Sequence, residues 1–374
     1  MRRVLFLLVL GSCGFEGTGA STDTTPGDGS GSGSGSDMMP GGGTSTARRI
    51  TLTIPAAKVS SDLQDFPVYV EVTNDDLRTA LDVAKMSFRQ RSGGTVSSLA
   101  YEVQAFDKPQ GTLQAWVRLP LVSASAATTF ELQYGDAAVA VAADANAVWS
   151  NHYVAVFHLE SKTNPILDSS RNSPGTAVNL DDNQLGNGRL GRAIDFANDN
   201  GAVISFSNPI TGAGPSTISA WISQRNTNNK DAVVVLGTGA ATQARALHAE
   251  YENNQIGIGL SQIDEWGNTG KTVQAAGWKL LHWTYDAAQS YLYLDGTQSA
   301  GPFVHTQAAA TAGTGAWLGN VKAANFDQNA ALNGALDEVR ISDVARSADW
   351  MAAEFANQSA PQTFMTVSAP QALP

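Results

Sequence analysis

The stretch Gly334-Ala335-Leu336-Asp337-Glu338-Val339-Arg340-Ile341-Ser342 constrains this chain more than any other. Read with the period of two that a half-buried strand requires, Ala335, Asp337, Val339 and Ile341 share one face. Leu336, Glu338, Arg340 and Ser342 share the other. One face therefore sets a carboxylate in a row with two β-branched core residues. A buried carboxylate is costly unless hydrogen-bonded, paired or metal-bound. Asp337 is thus expected to cap a neighbouring loop or to reach a cation, and Glu338 to pair with Arg340 across the opposite face.

The chain around this strand has 374 residues, room for a leader and two ordinary domains. Its formal net charge of -11 argues against nucleic acid and against anionic membrane surfaces, and suits calcium or neutral glycans. A single cysteine excludes an intrachain disulfide.

Arg2-Arg3 and the apolar run Val4 to Leu10 have the charged and hydrophobic parts of a secretory signal, too short to span a bilayer. The run ends in Leu10-Gly11-Ser12-Cys13, which resembles the bacterial lipobox. That resemblance makes residues 1–12 a lipoprotein signal peptide and Cys13 the acylated N-terminus. Gly14 after the cysteine resembles outer-membrane sorting, so the expected location is the bacterial envelope, at the outer membrane or cell surface. The lipid would be the only membrane contact. Residues 13–47 are mostly Gly, Ser, Thr, Asp and Pro, a disordered tether expected to reach on the order of 30 Å.

Strand-like runs then recur at Ile50–Ile54, Phe66–Val72, Lys85–Arg89, Leu99–Phe106, Leu113–Leu119 and Thr129–Tyr134. Ile50, Leu52 and Ile54 alternate with Thr51 and Thr53. Gly, Pro and Asp lie between the runs, the pattern of an antiparallel sandwich of roughly 100 residues. The order Asp65-Phe66-Pro67-Val68, Asn74-Asp75-Asp76-Leu77, Tyr101-Glu102-Val103, Ala115-Trp116-Val117 and Tyr134-Gly135 resembles domain of unknown function 2341, across residues 48–149. That family commonly precedes laminin-G-like domains through a junction that Trp149-Ser150-Asn151-His152-Tyr153-Val154-Ala155-Val156-Phe157-His158-Leu159 matches.

Residues 150–358 resemble a laminin-G-like, concanavalin A-like jelly roll. The likeness rests on Asp168-Ser169-Ser170-Arg171-Asn172, Gly191 to Phe196, Thr217-Ile218-Ser219-Ala220-Trp221, Gly277 to Trp283, the Asp295-Gly296 turn, and the closing strand with Ala345-Arg346-Ser347 and Trp350. Arg171 stands where that family has glycine. The resemblance implies that an N-terminal strand pairs with the closing one and that Trp221, Trp283 and Trp350 are core. The fold class expected is all-β, two tandem antiparallel β-sandwiches, the second a concanavalin A-like (laminin-G-like) jelly roll, with a C-terminal tail at 359–374.

This fold hosts enzymes and lectins alike, so chemistry must be argued from sites. Glycosidases of the fold place carboxylates on alternate residues of one strand. Asp337 and Glu338 are adjacent, hence expected on opposite faces, and no other run fits. The five histidines show no zinc spacing, and His158 and His282 lie in strand-like runs as core or rim residues. The chain is expected not to be an enzyme. For calcium, Asp327 to Glu338 has an EF-hand-like order of oxygens, but Leu332 occupies position six where glycine is needed. Asp337 with Asp168 is the candidate pair for a structural calcium ion; the alternative is that Asp337 hydrogen-bonds a turn. The candidate glycan-binding residues are Trp266, in a polar loop, and Tyr251 beside Asn253 and Asn254. The function expected is lectin-like carbohydrate binding or adhesion, with a carbohydrate or surface protein as partner; the alternative is an envelope scaffold.

Overall fold

A computed structural model of the chain describes residues 46–136, 139–197, 201–225, 230–262, 264–266, 269–273, 277–322 and 330–373. Cys13, the leader, the tether to residue 45, Asp327 and Asn329 lie outside them. Ser45–Pro374 forms one compact unit.

Among the described residues the first sandwich contains β1 (Arg48–Ile54), β2 (Leu63–Thr73), β3 (Met86–Ser92), β4 (Thr95–Leu99), β5 (Tyr101–Asp107), β6 (Thr112–Val122) and β7 (Thr128–Tyr134). Strands β1, β7, β3 and β4 form one antiparallel sheet, and β2, β6 and β5 the facing one. The alternation in β1 does what it promised: Ile50, Leu52 and Ile54 are buried while Thr51 and Thr53 are half-buried. In β6 burial reaches both faces at mid-strand, while Gln114 and Arg118 are half-buried and Pro120 is exposed. Ala115 and Val117 enter the sandwich core, and Trp116 on the opposite face is covered as well.

A short helix, α1 (Asp75–Ala80), is capped by the Asn74 side chain, and α2 (Ala145–Val148) leads into the second sandwich. There the strands are β8 (Tyr153–Phe157), β9 (Thr176–Val178), β10 (Leu185–Asn187), β11 (Arg192–Asp195), β12 (Val203–Ser207), β13 (Ser216–Gln224), β14 (Ala232–Gly237) and β15 (Ala244–Glu252). They continue with β16 (Gln255–Leu260), β17 (Asp264–Trp266), β18 (Lys279–Tyr285), β19 (Gln289–Leu294), β20 (Thr297–Val304), β21 (Gly315–Leu318) and β22 (Gly334–Ser342). One sheet runs β10-β11-β22-β13-β18-β19-β20, with β8 also on β22; the other runs β17-β16-β15-β14-β21-β12-β9. The closing strand does take the N-terminal strand as a neighbour, Val339 facing Phe157 and Ile341 facing Ala155. Asp295 and Gly296 both have positive φ, as a two-residue hairpin turn of this type demands. Trp221, Trp283 and Trp350 are buried.

The C-terminal residues were expected as a tail and instead return to the first sandwich. Helix α3 (Ala348–Ser359) starts on a Ser347 cap, and α4 (Pro361–Phe364) follows it. The Trp350 ring meets Phe66 edge-on at 4.8 Å between centroids. The Asn357 side chain accepts from Tyr69 N at 2.7 Å and donates to Tyr69 O at 2.9 Å, closing the open edge of β2 as a strand would. The next residue, Gln358, accepts from the Trp221 indole of the second sandwich at 2.6 Å. The last strands, β23 (Thr366–Val367) and β24 (Gln371–Ala372), both pair with β1. Phe364 and Met365 are buried in the first core. One helix thus grips both sandwiches.

Candidate functional site

The site begins with a slip in the closing strand. Opposite β13, Arg340 faces Ser219 but Asp337 faces Trp221, so β22 carries an extra residue, and Glu338 adopts φ 53. The strict alternation expected for this strand therefore fails. Leu336, Val339 and Ile341 all enter the second core, whereas Asp337, Glu338 and Arg340 leave it, Asp337 for the β10–β11 turn and the other two for the first sandwich. Asp337 and Glu338 are therefore not on opposite faces, contrary to the expectation that adjacency would separate them.

The charged groups in the seam between sandwiches need partners, because burying an unpaired charge is prohibitive. Glu338 is fully buried, pairs with Arg340 at 2.5 Å and meets His158 Nδ1 at 2.9 Å. The expected Glu338–Arg340 pair exists, but buried rather than exposed. Arg340 also binds Glu354 of α3 at 2.5 Å and lies 4.4 Å above the Trp116 ring and 5.1 Å from that of Trp149. His158 Nε2 reaches Glu102 of β5 at 3.3 Å. Glu102 also accepts from the Trp149 indole at 2.7 Å and from Ser169 Oγ at 2.6 Å. Gln104 accepts from the Trp116 indole at 2.8 Å and directs its amide at Glu160 and Glu338.

Burial works against a charged His158, yet the carboxylates of Glu338 and Glu102 outweigh it and raise its pKa to about 10. Burial likewise pushes Glu102 up, but His158 with the Ser169 and Trp149 hydrogen bonds lowers it to about 2. Glu354 is lowered to about 2 against its own burial by His282 and Arg340. Asp337 is driven the other way, well above the usual carboxylate range, by burial and by its neighbour Glu338.

Above this network lies a cavity of about 150 Å³. Glu102, Val103 and Gln104 of β5 form one wall; the segment after β8, with Glu160, Ser161, Ile166, Leu167 and Ser169, forms the other. His158 lies at the base. Leu167 at the mouth is 75% exposed.

Asp337 and Asp168 each serve a separate loop. Asp337 Oδ2 accepts from Arg189 N at 2.6 Å and Leu190 N at 2.8 Å, the turn-capping alternative, and Oδ1 is buried without a partner. Asp168 takes hydrogen bonds from the backbone of Val156, Ser170, Asn172 and Ser173 and from Ser170 Oγ, filling the four lone-pair sites a carboxylate offers. The residues do not fit an ion shared between them. Among the described residues, no group of three or more His, Cys, Asp or Glu is placed to hold a metal. Asp168 instead shapes the loop that presents Ser169 to Glu102, with Arg171 in the left-handed conformation (φ 61) that glycine would adopt.

The glycan candidates lie elsewhere. Tyr251 is half-buried near the end of β15, its ring 5.1 Å from that of His248 and 5.6 Å from Lys230 Nζ. Asn253 and Asn254 are exposed and form the β15–β16 hairpin turn, both with positive φ. Trp266 pairs through its backbone with Ile258, and its side chain lies outside what is described. The β15, β16 and β17 strands bring Tyr251 and Trp266 onto one sheet, away from the seam.

Sequence reasoning did not find Glu102, Gln104 or Glu160, and took His158 for a core or rim residue. Glu102 sits between Tyr101 and Val103 in an alternating strand, indistinguishable there from a solvent-facing residue. The one available signal was the conflict in β22, where three ionisable residues crowd a strand that must be covered on both faces.

Fold and seam together define an all-β protein of two joined antiparallel sandwiches, the second a concanavalin A-like jelly roll. Residues 197–352 match the family model described as the concanavalin A-like lectin/glucanases superfamily. Similar solved structures include domain 4 of AbnA, an extracellular GH43 arabinanase from Geobacillus stearothermophilus, in complex with arabinotriose. That match is 18% identical with a TM-score of 0.45, covering 55% of this chain and 98% of that one. The binding domain of Paraclostridial Mosquitocidal Protein 1 is 14% identical with a TM-score of 0.43, and the match covers 55% of this chain and 52% of that one. Trypanosoma rangeli sialidase is 13% identical with a TM-score of 0.40, the match covering 71% of this chain and 44% of that one. No curated protein matches the chain.

Proposed function

We propose that the chain is a non-catalytic binding protein of lectin or adhesion type, held at the bacterial envelope through Cys13, with its ligand seated in the seam cavity. The observation that carries this reading is the cavity itself. Carboxylate, amide and hydroxyl groups of both sandwiches line it beside the apolar Ile166 and Leu167, the mixture of polar groups and apolar surface that a sugar ring uses. The polar groups are fixed before any ligand arrives, which lowers the ordering cost of binding. A pKa of about 10 on His158 and about 2 on Glu102 puts both far from neutrality, which favours binding over general acid–base work. The likeness of residues 48–149 to domain of unknown function 2341 belongs to the same reading. The test is a glycan panel against the full chain and a Leu167→Arg variant that blocks the mouth. Saturable binding to one glycan class, lost in the variant with its circular dichroism unchanged, is expected. A blank from a folded sample, or binding indifferent to Leu167→Arg, would refute a seam site.

A further inference from the structure

The charges around the cavity are unequal in a way that selects among sugars. Glu102, Glu160 and Glu338 lie at or just behind its wall. His158 answers Glu102 and Glu338, and the Arg340 guanidinium that also answers Glu338 is claimed by Glu354 as well. Glu160 has no ion-pair partner among the described residues. Its hydrogen bonds come from the neutral Gln104 amide at 2.6 Å and the Arg192 backbone N–H at 3.2 Å. Cations near it in the chain or in the turn it bonds are engaged elsewhere: Lys162 on Asp182, the Arg192 guanidinium on the carbonyls of Gly186 and Leu185, and Arg189 on that of Ser359. The cavity therefore presents one carboxylate that a cation would complete, on the same wall as apolar Leu167. Glu160 is also held above its ordinary pKa, by its burial first and by Glu338 in part, a cost that an incoming positive charge relieves.

We propose that the seam cavity selects a sugar carrying a free amine, the ammonium group seated on Glu160 and the ring edge against Leu167. This rests on the carbohydrate reading above and narrows it. A glucosamine-type residue meets both requirements, and its N-acetylated counterpart keeps the ring and loses the charge.

The experiment is calorimetric titration of the full chain with a glucosamine trisaccharide and with its N-acetylated form, at slightly acidic pH where the amine is protonated. The free-amine sugar should bind about tenfold tighter or better, the margin of one charge-assisted hydrogen bond. Glu160→Gln keeps an acceptor for Arg192 N, and should bring the two sugars within about twofold of each other as that charge is lost. Equal affinity for the two sugars, or a preference unchanged in Glu160→Gln, would overturn the amine selection and leave the carbohydrate reading standing. Binding of neither trisaccharide, with a neutral glycan bound at the seam, would overturn it too. No binding of any glycan would remove both.

Discussion

The strongest mechanical consequence of the seam concerns Arg340. It is 2% exposed, bonded to Glu338 and Glu354 and stacked on two indoles from the first sandwich and its junction. Arg340→Met keeps a long unbranched side chain in place and removes the guanidinium with its charge and hydrogen bonds. Glu338 then retains His158 and Gln104, and Glu354 retains His282, so neither carboxylate is stripped bare. Breaking a buried pair by removing one partner costs about 3–5 kcal/mol, and the remaining partners place this substitution near the lower end, about 3 kcal/mol. Equilibrium urea unfolding followed by tryptophan fluorescence reads it directly, because Trp116 and Trp149 sit against the guanidinium. Adding Glu354→Gln should restore about 1 kcal/mol of the loss, since the two sites share one interaction. A loss under about 1 kcal/mol for Arg340→Met, the size expected of an exposed pair, would refute the account of the seam as a buried network.

Glu102 and Glu354 are held at about 2 against an ordinary 4.5, so their contribution is present above pH 4.5 and lost as pH falls toward 2. His158, at about 10 against 6.5, contributes below pH 6.5 and loses that as pH rises toward 10. Melting temperature should therefore peak between those limits, and a flat profile from pH 3 to 9 would contradict the assignment. Phe364→Ala, in the segment that returns to the first sandwich, should cost about 3–5 kcal/mol in urea unfolding, where a true tail residue would cost nothing measurable. Cys13→Ala should abolish incorporation of labelled fatty acid in the expressing cell; labelling that persists would remove the lipid anchor from the proposal.

The strands were legible because burial imposes a period of two. Ile50, Leu52 and Ile54 announced β1, and the closing strand announced its own core face at Val339 and Ile341. What alternation cannot carry is a bulge. One inserted residue at Glu338 reverses the sense of everything N-terminal to it, moving Leu336 into the core and Asp337 out of it. The strand that looked two-sided in its charges has them all on one side. The return of the C-terminus was hidden for a different reason: β23 and β24 are two residues each, too short for any periodicity, and their pairing spans more than three hundred positions of sequence. The seam site shares that difficulty. Glu102 and Glu338 sit in strands and His158 just past the end of β8, none of them marked in the local sequence, and only the packing of one sandwich on the other makes them neighbours. Tyr251 and Trp266 stand out in the sequence as aromatic residues in polar surroundings, a pattern that marks exposed rings and passes over a cavity floored with paired charges.

The central claim is that ligand enters the seam, and the indole and imidazole resonances of Trp116, Trp149 and His158 are its reporters. Nuclear magnetic resonance of the full chain, titrated with whichever oligosaccharide the panel selects, should shift those three signals together and leave the Tyr251 ring unmoved. Shifts confined to Tyr251 and the β15–β16 turn, with the seam signals unchanged, would contradict the account and return the binding site to the jelly-roll edge.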